Sequence, residues 1–308
     1  MNRPLQKTNR HPLLAEPIVR YRLEYITLWI LKWIANILPA SMAHRVGAAL
    51  GSLVGFVWRS RRAIAEDNVR RAFGYDENSI APATIVSETF RNLGRTTFEI
   101  LHLTQMRHED LLQCIDGREA APWLDWAHQQ GKGALLVSGH FGNWELLGAW
   151  IRAMGYPVDF VVKPVRNPLV DRLYNECRAS MDVGIIHTQV ATKGILKSLQ
   201  AKRFVAILAD QHSGAEGIDV EFFGRQASTP RGPAVLALKF GCPLLTGVLE
   251  RLEGSRYVAH VDGPIEYSPT GDQESDVRAI TGEIARRLEG HIRKTPSQWL
   301  WTHRRWRD

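Results

Sequence analysis

Ala134-Leu135-Leu136-Val137-Ser138-Gly139-His140-Phe141-Gly142-Asn143-Trp144-Glu145 decides how this chain reads. The apolar run Ala134 to Val137 lies between Gly131 and Gly133 on one side and Gly139 on the other, the mark of a short buried strand. From Trp144 the pattern turns helical, with Leu146, Leu147, Trp150 and Ile151 forming an apolar stripe. His140 therefore stands at the carboxyl end of a strand, on a turn that opens a helix. Open α/β sheets bind ligands at that position. Glu145 follows five positions later. On one helix that offset is a rotation of about 140°, so the two residues share no face. The pair is thus not the zinc pattern of two histidines at i and i+4. A turn at Gly142 can instead fold Glu145 back onto His140. A carboxylate on one imidazole nitrogen fixes the tautomer and frees the other nitrogen as a general base. The same residues also allow a plainer reading, a histidine satisfied by a backbone carbonyl and a solvated first-turn glutamate favoured by the helix dipole.

Outward from this stretch, strands alternate with helices. Tyr156 to Val162, Phe204 to Leu208, Pro243 to Leu249 and Tyr257 to Val261 read as strands. Pro168 to Met181, Ala191 to Gln200, Pro233 to Phe240 and Asp276 to Ile292 read as helices. The alternation predicts an α/β fold, a largely parallel central sheet flanked by helices. Residues 85–130 read as mainly helical. Ahead of them the sequence predicts a loose polar tail at 1–17 and membrane-associated helices over 18–72, which leaves 73–308 as the main domain.

The 308 residues carry a net charge of +7, with 44% hydrophobic and 23% charged residues, the balance of a folded protein. Twelve basic and four acidic residues precede position 72, so this segment alone accounts for the net excess. Here the basic residues interleave with apolar stretches, which favours an anionic membrane surface over an ordinary solvated face. Tyr25 to Leu38 is short and contains Lys32, so it reads as an interfacial or marginally spanning anchor, with Trp29 and Trp33 at headgroup level. Val46 to Trp58 carries Gly47, Gly51 and Gly55 at a spacing of four, which predicts close packing against the first helix, or an ordinary buried core helix. The stretch starts late and lacks a small-residue cleavage site, which argues against a signal peptide. Cys114, Cys177 and Cys242 are scattered and odd in number, and they read as reduced thiols in a cytoplasmic-type compartment. No phosphate-binding glycine loop, nucleophile-elbow serine or paired-cysteine metal motif is present, and no cofactor or metal is expected.

Other polar clusters fall at predicted strand ends. Lys163-Pro164-Val165-Arg166-Asn167-Pro168 ends one strand and opens a helix with proline at its favoured first position. Farther along that helix, Arg178 offers a donor fork for a phosphate or a developing oxyanion, or a salt bridge to a nearby acid. Asp210-Gln211 ends another strand. Thr229-Pro230-Arg231-Gly232-Pro233-Ala234 predicts a helix start whose free amides can hold an anion. Phe222-Phe223 can line an acyl pocket, or simply fill the core.

Taken in order, Gly139-His140-Phe141-Gly142-Asn143-Trp144-Glu145, Lys163-Pro164 with Asn167-Pro168, Asp210-Gln211, Phe222-Phe223-Gly224 and Thr229 to Ala234 resemble the bacterial lipid A biosynthesis acyltransferase family. The ending Gln298-Trp299-Leu300-Trp301-Thr302-His303-Arg304-Arg305-Trp306 is similar to that family's terminal pattern. The resemblance runs from about residue 20 to the end, and it is specific for the family and much less so for the substrate. It implies a membrane-bound transferase at the cytoplasmic face of a bacterial inner membrane. Such an enzyme moves an acyl chain from acyl carrier protein, or from acyl-CoA, to a hydroxyl of a lipid A precursor or another glycolipid. It implies His140 and Glu145 as the catalytic pair. Arg178, Lys163, Arg166, Asp210, Thr229 and Arg231 are implied in oxyanion stabilisation or substrate binding. Lys163 stands where many members have arginine, which leaves phosphate binding possible but not bidentate. The competing readings are an acyltransferase for a phosphatidylinositol mannoside-like or lysophospholipid acceptor, a lipid hydrolase, and a non-catalytic lipid-binding protein. A nucleic-acid partner has only the net charge in its favour, since no recognition motif accompanies it.

Overall fold

A computed structural model describes residues 15–74 and 81–307. The predicted tail at 1–17 lies, up to residue 14, outside the described residues. The helices are α1 (Ala15–Ile37), α2 (Ala40–Val57), α3 (Arg59–Phe73), α4 (Pro82–His102), α5 (His108–Cys114), α6 (Ala121–Gln129), α7 (Trp144–Ala153), α8 (Pro168–Ala179), α9 (Ala191–Gln200), α10 (Gly232–Phe240) and α11 (Gln273–Lys294). The strands are β1 (Ile115–Asp116), β2 (Ala134–Ser138), β3 (Val158–Val162), β4 (Gly184–His187), β5 (Phe204–Leu208), β6 (Ile218–Phe222), β7 (Arg225–Thr229), β8 (Leu244–Arg251) and β9 (Tyr257–Asp262).

Seven strands form one sheet in the order β1-β9-β8-β2-β5-β3-β4. All its pairs are parallel except β8 with β9. The fold is thus the α/β class expected from the alternation. β2 lies mid-sheet and is buried along its whole length, because helices cover both faces of a parallel sheet. β6 and β7 form a separate antiparallel hairpin beyond the strands expected from the sequence, although Ile218, Val220 and Phe222 alternate with Asp219 and Glu221 and point to the buried face. Phe222, from that hairpin, packs edge-on against Phe223 and Trp299, and both phenylalanines contact Trp306. They belong to the core around the chain's end, and the acyl-pocket role considered for them is not what the structure shows.

The glycine stripe of α2 meets α4, which corrects the expected packing against α1. An added Cβ at Gly47 would come within 2.8 Å of the Gly94 carbonyl oxygen, and one at Gly51 would collide with the Phe90 carbonyl. Gly94 returns the contact onto the Gly47 backbone. Small residues on both helices let the two backbones touch. The opposite side of α2 and much of α1 are bare. Ile18, Leu23, Ile26, Trp29, Ile30 and Trp33 are exposed on α1, and Leu53, Phe56, Val57 and Trp58 at the end of α2. Among the described residues α2 is the one helix long and apolar enough to cross a membrane, by length and composition, and 28% of it is buried. α3 turns back into the body of the protein, where Asn68 donates to the carbonyls of Trp301 and His303 at 2.7 and 2.6 Å. Cys177 and Cys242 are buried, Cys114 is half-buried, and all three are free thiols.

Candidate active site

β2 and β5 run parallel with Ser138 opposite Leu208. Two residues further on, that register sets His140 beside Asp210. The Asp210 carboxylate accepts from the His140 backbone N–H at 2.8 Å, and its other oxygen lies 2.8 Å from His140 Nδ1. Trp299 Nε1 donates to the same carboxylate at 2.8 Å. Burial alone would raise the Asp210 carboxyl, but the charge and hydrogen bonds of His140, with the Trp299 bond, override it and hold it at about 2. Burial would lower His140, and the Asp210 carboxylate outweighs it, so His140 lies above its ordinary value. An ionised Asp210 accepts a hydrogen bond from Nδ1–H, which leaves Nε2 as the basic atom of the neutral ring. Trp144 packs edge-on against the imidazole with centroids 4.9 Å apart and limits its rotation.

The carboxylate on His140 is therefore Asp210, in place of the expected Glu145. Asn143 caps α7, its side chain accepting from the Glu145 and Leu146 N–H groups at 3.1 and 3.0 Å. That start aims Glu145 at α8, where the Arg178 Nε and Nη2 grip its two oxygens at 2.9 and 2.6 Å. Asn175 accepts from Arg178 Nη1 at 2.9 Å. Burial opposes the Arg178 charge, and the Glu145 carboxylate overrides it, so the guanidinium is held ionised.

The turn between them is fixed from below. Gly142 has φ +55°, and a Cβ there would strike the Leu249 carbonyl. Its N–H donates to the Gln298 carbonyl at 2.9 Å, and its carbonyl accepts from Thr96 Oγ1 at 2.9 Å. The Phe141 and Asn143 N–H groups donate to the carbonyls of Gly139 and Leu249. These amides are thus engaged within the protein. Asn143 Nδ2 donates at 2.6 Å to Glu99, which is itself buried and forked by Arg251 at 2.8 and 2.6 Å. Burial would raise the Glu99 carboxyl, but Arg251 and His44 push it far below the ordinary carboxylate range.

His140, Trp144, Glu145, Arg178, Lys163 and Gln211 share a groove of about 370 Å³. Its remaining wall is mostly apolar, with Leu136, Leu147, Phe160, Val162, Ala206 and Leu208. Gly148 forms part of the lining, where a Cβ would run into the Phe160 ring. The other expected site residues are dispersed. Arg166 is exposed and outside the groove lining. Arg231 pairs with Glu274 of α11 at 2.6 Å, away from the groove. Thr229 is buried, accepts from Arg305 Nη2, and lines a separate small cavity of about 20 Å³ behind Asp210. Trp299 was noted in the sequence only as part of an ending, although it is the third donor on Asp210. Among the described residues no group of three or more His, Cys, Asp or Glu side chains is placed to hold a metal.

The pattern of the family described as bacterial lipid A biosynthesis acyltransferase matches residues 15–308. This chain belongs to that family. It is an O-acyltransferase by that membership, with its His140–Asp210 pair opening onto an apolar groove. The chain is similar to the lipid A biosynthesis palmitoleoyltransferase of Escherichia coli, 25% identical over 291 residues, covering 94% of this chain and 92% of the relative. It is equally similar to a phosphatidylinositol mannoside acyltransferase of Mycolicibacterium smegmatis, 25% identical over 276 residues, covering 87% and 86%. A lipid A biosynthesis acyltransferase of Haemophilus influenzae is 23% identical over 266 residues, covering 85% and 81%.

Proposed function

We propose that this protein transfers a fatty acyl group from a thioester to a hydroxyl of lipid A or a related glycolipid, with His140 as general base. The observation that carries the reading is the buried Asp210 carboxylate 2.8 Å from His140 Nδ1, with the imidazole bordering the apolar groove. Nε2 takes the proton of the acceptor hydroxyl as that oxygen attacks the thioester carbonyl. The C–O bond forms, the carbonyl becomes an oxyanion, and the C–S bond breaks. The His140 imidazolium returns the proton to the departing thiolate. Asp210 stays ionised throughout and stabilises the imidazolium, as an orienting carboxylate does. The groove supplies apolar surface for the acyl chain. Three of the five N–H groups of Arg178 face Glu145 and Asn175, so two remain for a developing oxyanion at the groove wall. Lys163 adds a second positive charge there.

The donor is the thioester of acyl carrier protein or of CoA, and the acceptor is membrane-borne. The exposed apolar faces of α1 and α2, flanked by Arg20, Arg22, Arg59 and Arg62, support seating on an anionic membrane, at the cytoplasmic face where such donors are made. The equal similarity to mycobacterial relatives favours one second reading, a phosphatidylinositol mannoside-like acceptor. One experiment tests both. Labelled acyl carrier protein and acyl-CoA are offered with a lipid A precursor, a phosphatidylinositol mannoside or no acceptor, and ester product and released thiol are measured. Thiol release without ester in every arm would make the protein a hydrolase and overturn the transfer reading.

A further inference from the structure

The terminal strip 300–307 lies against the His140 backbone and lines no part of the apolar groove. Leu300 N–H donates to the His140 carbonyl at 2.9 Å. Thr302 carbonyl accepts from Arg61 Nη1 at 3.1 Å. Arg305 Nη1 donates at 2.6 Å to the Ser228 carbonyl, which also accepts from Ser213 N–H, the neighbour of His212. One strip thus gathers Arg61, His212, His303, Arg305 and Arg307 next to the proposed base.

This gathering is rich in donors and poor in acceptors. No carboxylate lies within ion-pair distance of Arg61, Arg305 or Arg307 among the described residues. Nine buried side-chain nitrogens or oxygens lack a hydrogen-bond partner among the described residues. Three of the nine are ring or guanidinium nitrogens of His303, Arg305 and Trp306 on this strip, and a fourth is His212 Nδ1, next to Ser213. Arg305 is only 2% exposed, which makes an unpartnered guanidinium nitrogen there costly. Burial lowers His303, and Arg307, His140 and Arg61 lower it further against the pull of Asp210. Burial lowers His212 likewise, with Arg307 and Arg305 adding to it. The histidines therefore sit among more cations than anions: Asp210, already engaged by His140 and Trp299, faces His303, and Asp219 faces His212.

We propose that Arg61, His212, His303 and Arg307 form a seat for a phosphate group of the acceptor lipid. The seat deepens the glycolipid-acceptor reading and rests on it. Guanidinium and imidazole donors converging from separate elements suit a compact, multiply charged oxyanion. The thioester side is spoken for, because the acyl groove is lined by none of these four residues. The membrane side agrees. Arg61 stacks over Trp58 with its Cζ 5.5 Å from the ring, directly after the exposed Phe56 and Val57 that end α2. A lipid held by its tails at that surface would bring its headgroup phosphate to Arg61 and its hydroxyl to His140.

The test uses the full chain in nonionic detergent. Arg307 makes no side-chain bond within the described protein, so Arg307→Glu leaves folding intact. Losing one charge-assisted contact, and adding repulsion, is expected to raise the KM for a phosphate-bearing acceptor roughly tenfold to a hundredfold, with donor KM and kcat within about twofold. Arg61→Gln should act in the same direction but less. A glycolipid acceptor without phosphate should be used equally by wild type and both variants. Inorganic phosphate should compete with the acceptor and not the donor. It should also shift the His212 and His303 ring resonances of the wild type and not of Arg307→Glu, a readout independent of turnover. If acyl transfer failed altogether while those resonances still moved, the seat would stand and the catalytic reading would fall. An unchanged acceptor KM in both variants, resonances indifferent to phosphate, or a rise in donor KM instead would overturn the proposal.

Discussion

Asp210 and Glu145 are two buried carboxylates set at the same end of the sheet, one after β5 and one at the start of α7. Asp210 holds a histidine, a group that titrates near neutrality, and adds a tryptophan N–H. Glu145 holds an arginine, a group that keeps its charge at any working pH. The first pair can change its charge during a reaction. The second fixes a cation in place at the groove wall. Two acids of similar burial thus differ in role because of the partner each was given.

Three substitutions separate the roles, and the largest effect belongs to the histidine. His140→Ala should reduce acyl transfer by about 10²–10⁴ or more, with circular dichroism and vesicle binding unchanged. Near-wild-type turnover would remove His140 from the mechanism. Asp210→Asn comes next, with a loss of about 10²–10⁴, because the amide can select the wrong tautomer. It should also move the pH profile. With His140 as the proposed base, turnover would need its neutral form, whose value is raised in the native protein, so wild-type rate should climb with pH through a limb above the ordinary histidine value of about 6.5. Removing the anion lowers His140, so the limb of Asp210→Asn should move to lower pH even as the maximum falls. Glu145→Gln should lose activity through a misplaced Arg178, and its limb should move less, since Glu145 raises His140 less than Asp210 does. An equal or larger limb shift in Glu145→Gln would return the orienting role to Glu145. Its thermal stability should also fall, since breaking one side of a buried pair costs roughly 3–5 kcal/mol, and Gln keeps part of the hydrogen bonding.

The comparison also shows what the sequence could carry. A histidine at a strand's end was legible from an apolar run bounded by glycines. Its partner was less so, because proximity along the chain favoured Glu145 while proximity across the sheet favours Asp210. The β2–β5 register that joins them is a long-range fact, and no local pattern encodes it. Trp299 was hidden for the same reason, since it reaches Asp210 from 89 residues away. Arg166, Thr229 and Arg231 looked alike as polar residues beside prolines and strand ends. Their local signals could not tell a groove wall from an exposed helix start or a buried hairpin end. The glycine stripe of α2 was visible, but its target depended on Gly94, the one glycine in α4.

That stripe gives α2 two faces, and they should respond oppositely to substitution. On the inner face, Gly51→Ala places a methyl against the Phe90 carbonyl, a backbone atom that moves only if α4 moves. Overpacking of this kind should cost about 1–3 kcal/mol, seen as a lower melting temperature, and a bulkier Gly51→Leu should cost more. On the outer face, Phe56→Ser with Val57→Ser removes side chains that are 71% and 70% exposed and rest on little. Stability in detergent should change by less than about 0.5 kcal/mol per site. Binding to vesicles of anionic and zwitterionic lipid should nonetheless weaken, because the lost apolar area is what would enter the interface. Transfer to a membrane-borne acceptor should fall with it, while transfer to a short-chain acceptor dispersed in detergent should hold. If the outer-face variant melted early and still bound vesicles, this surface would be a docking face for protein and not for lipid.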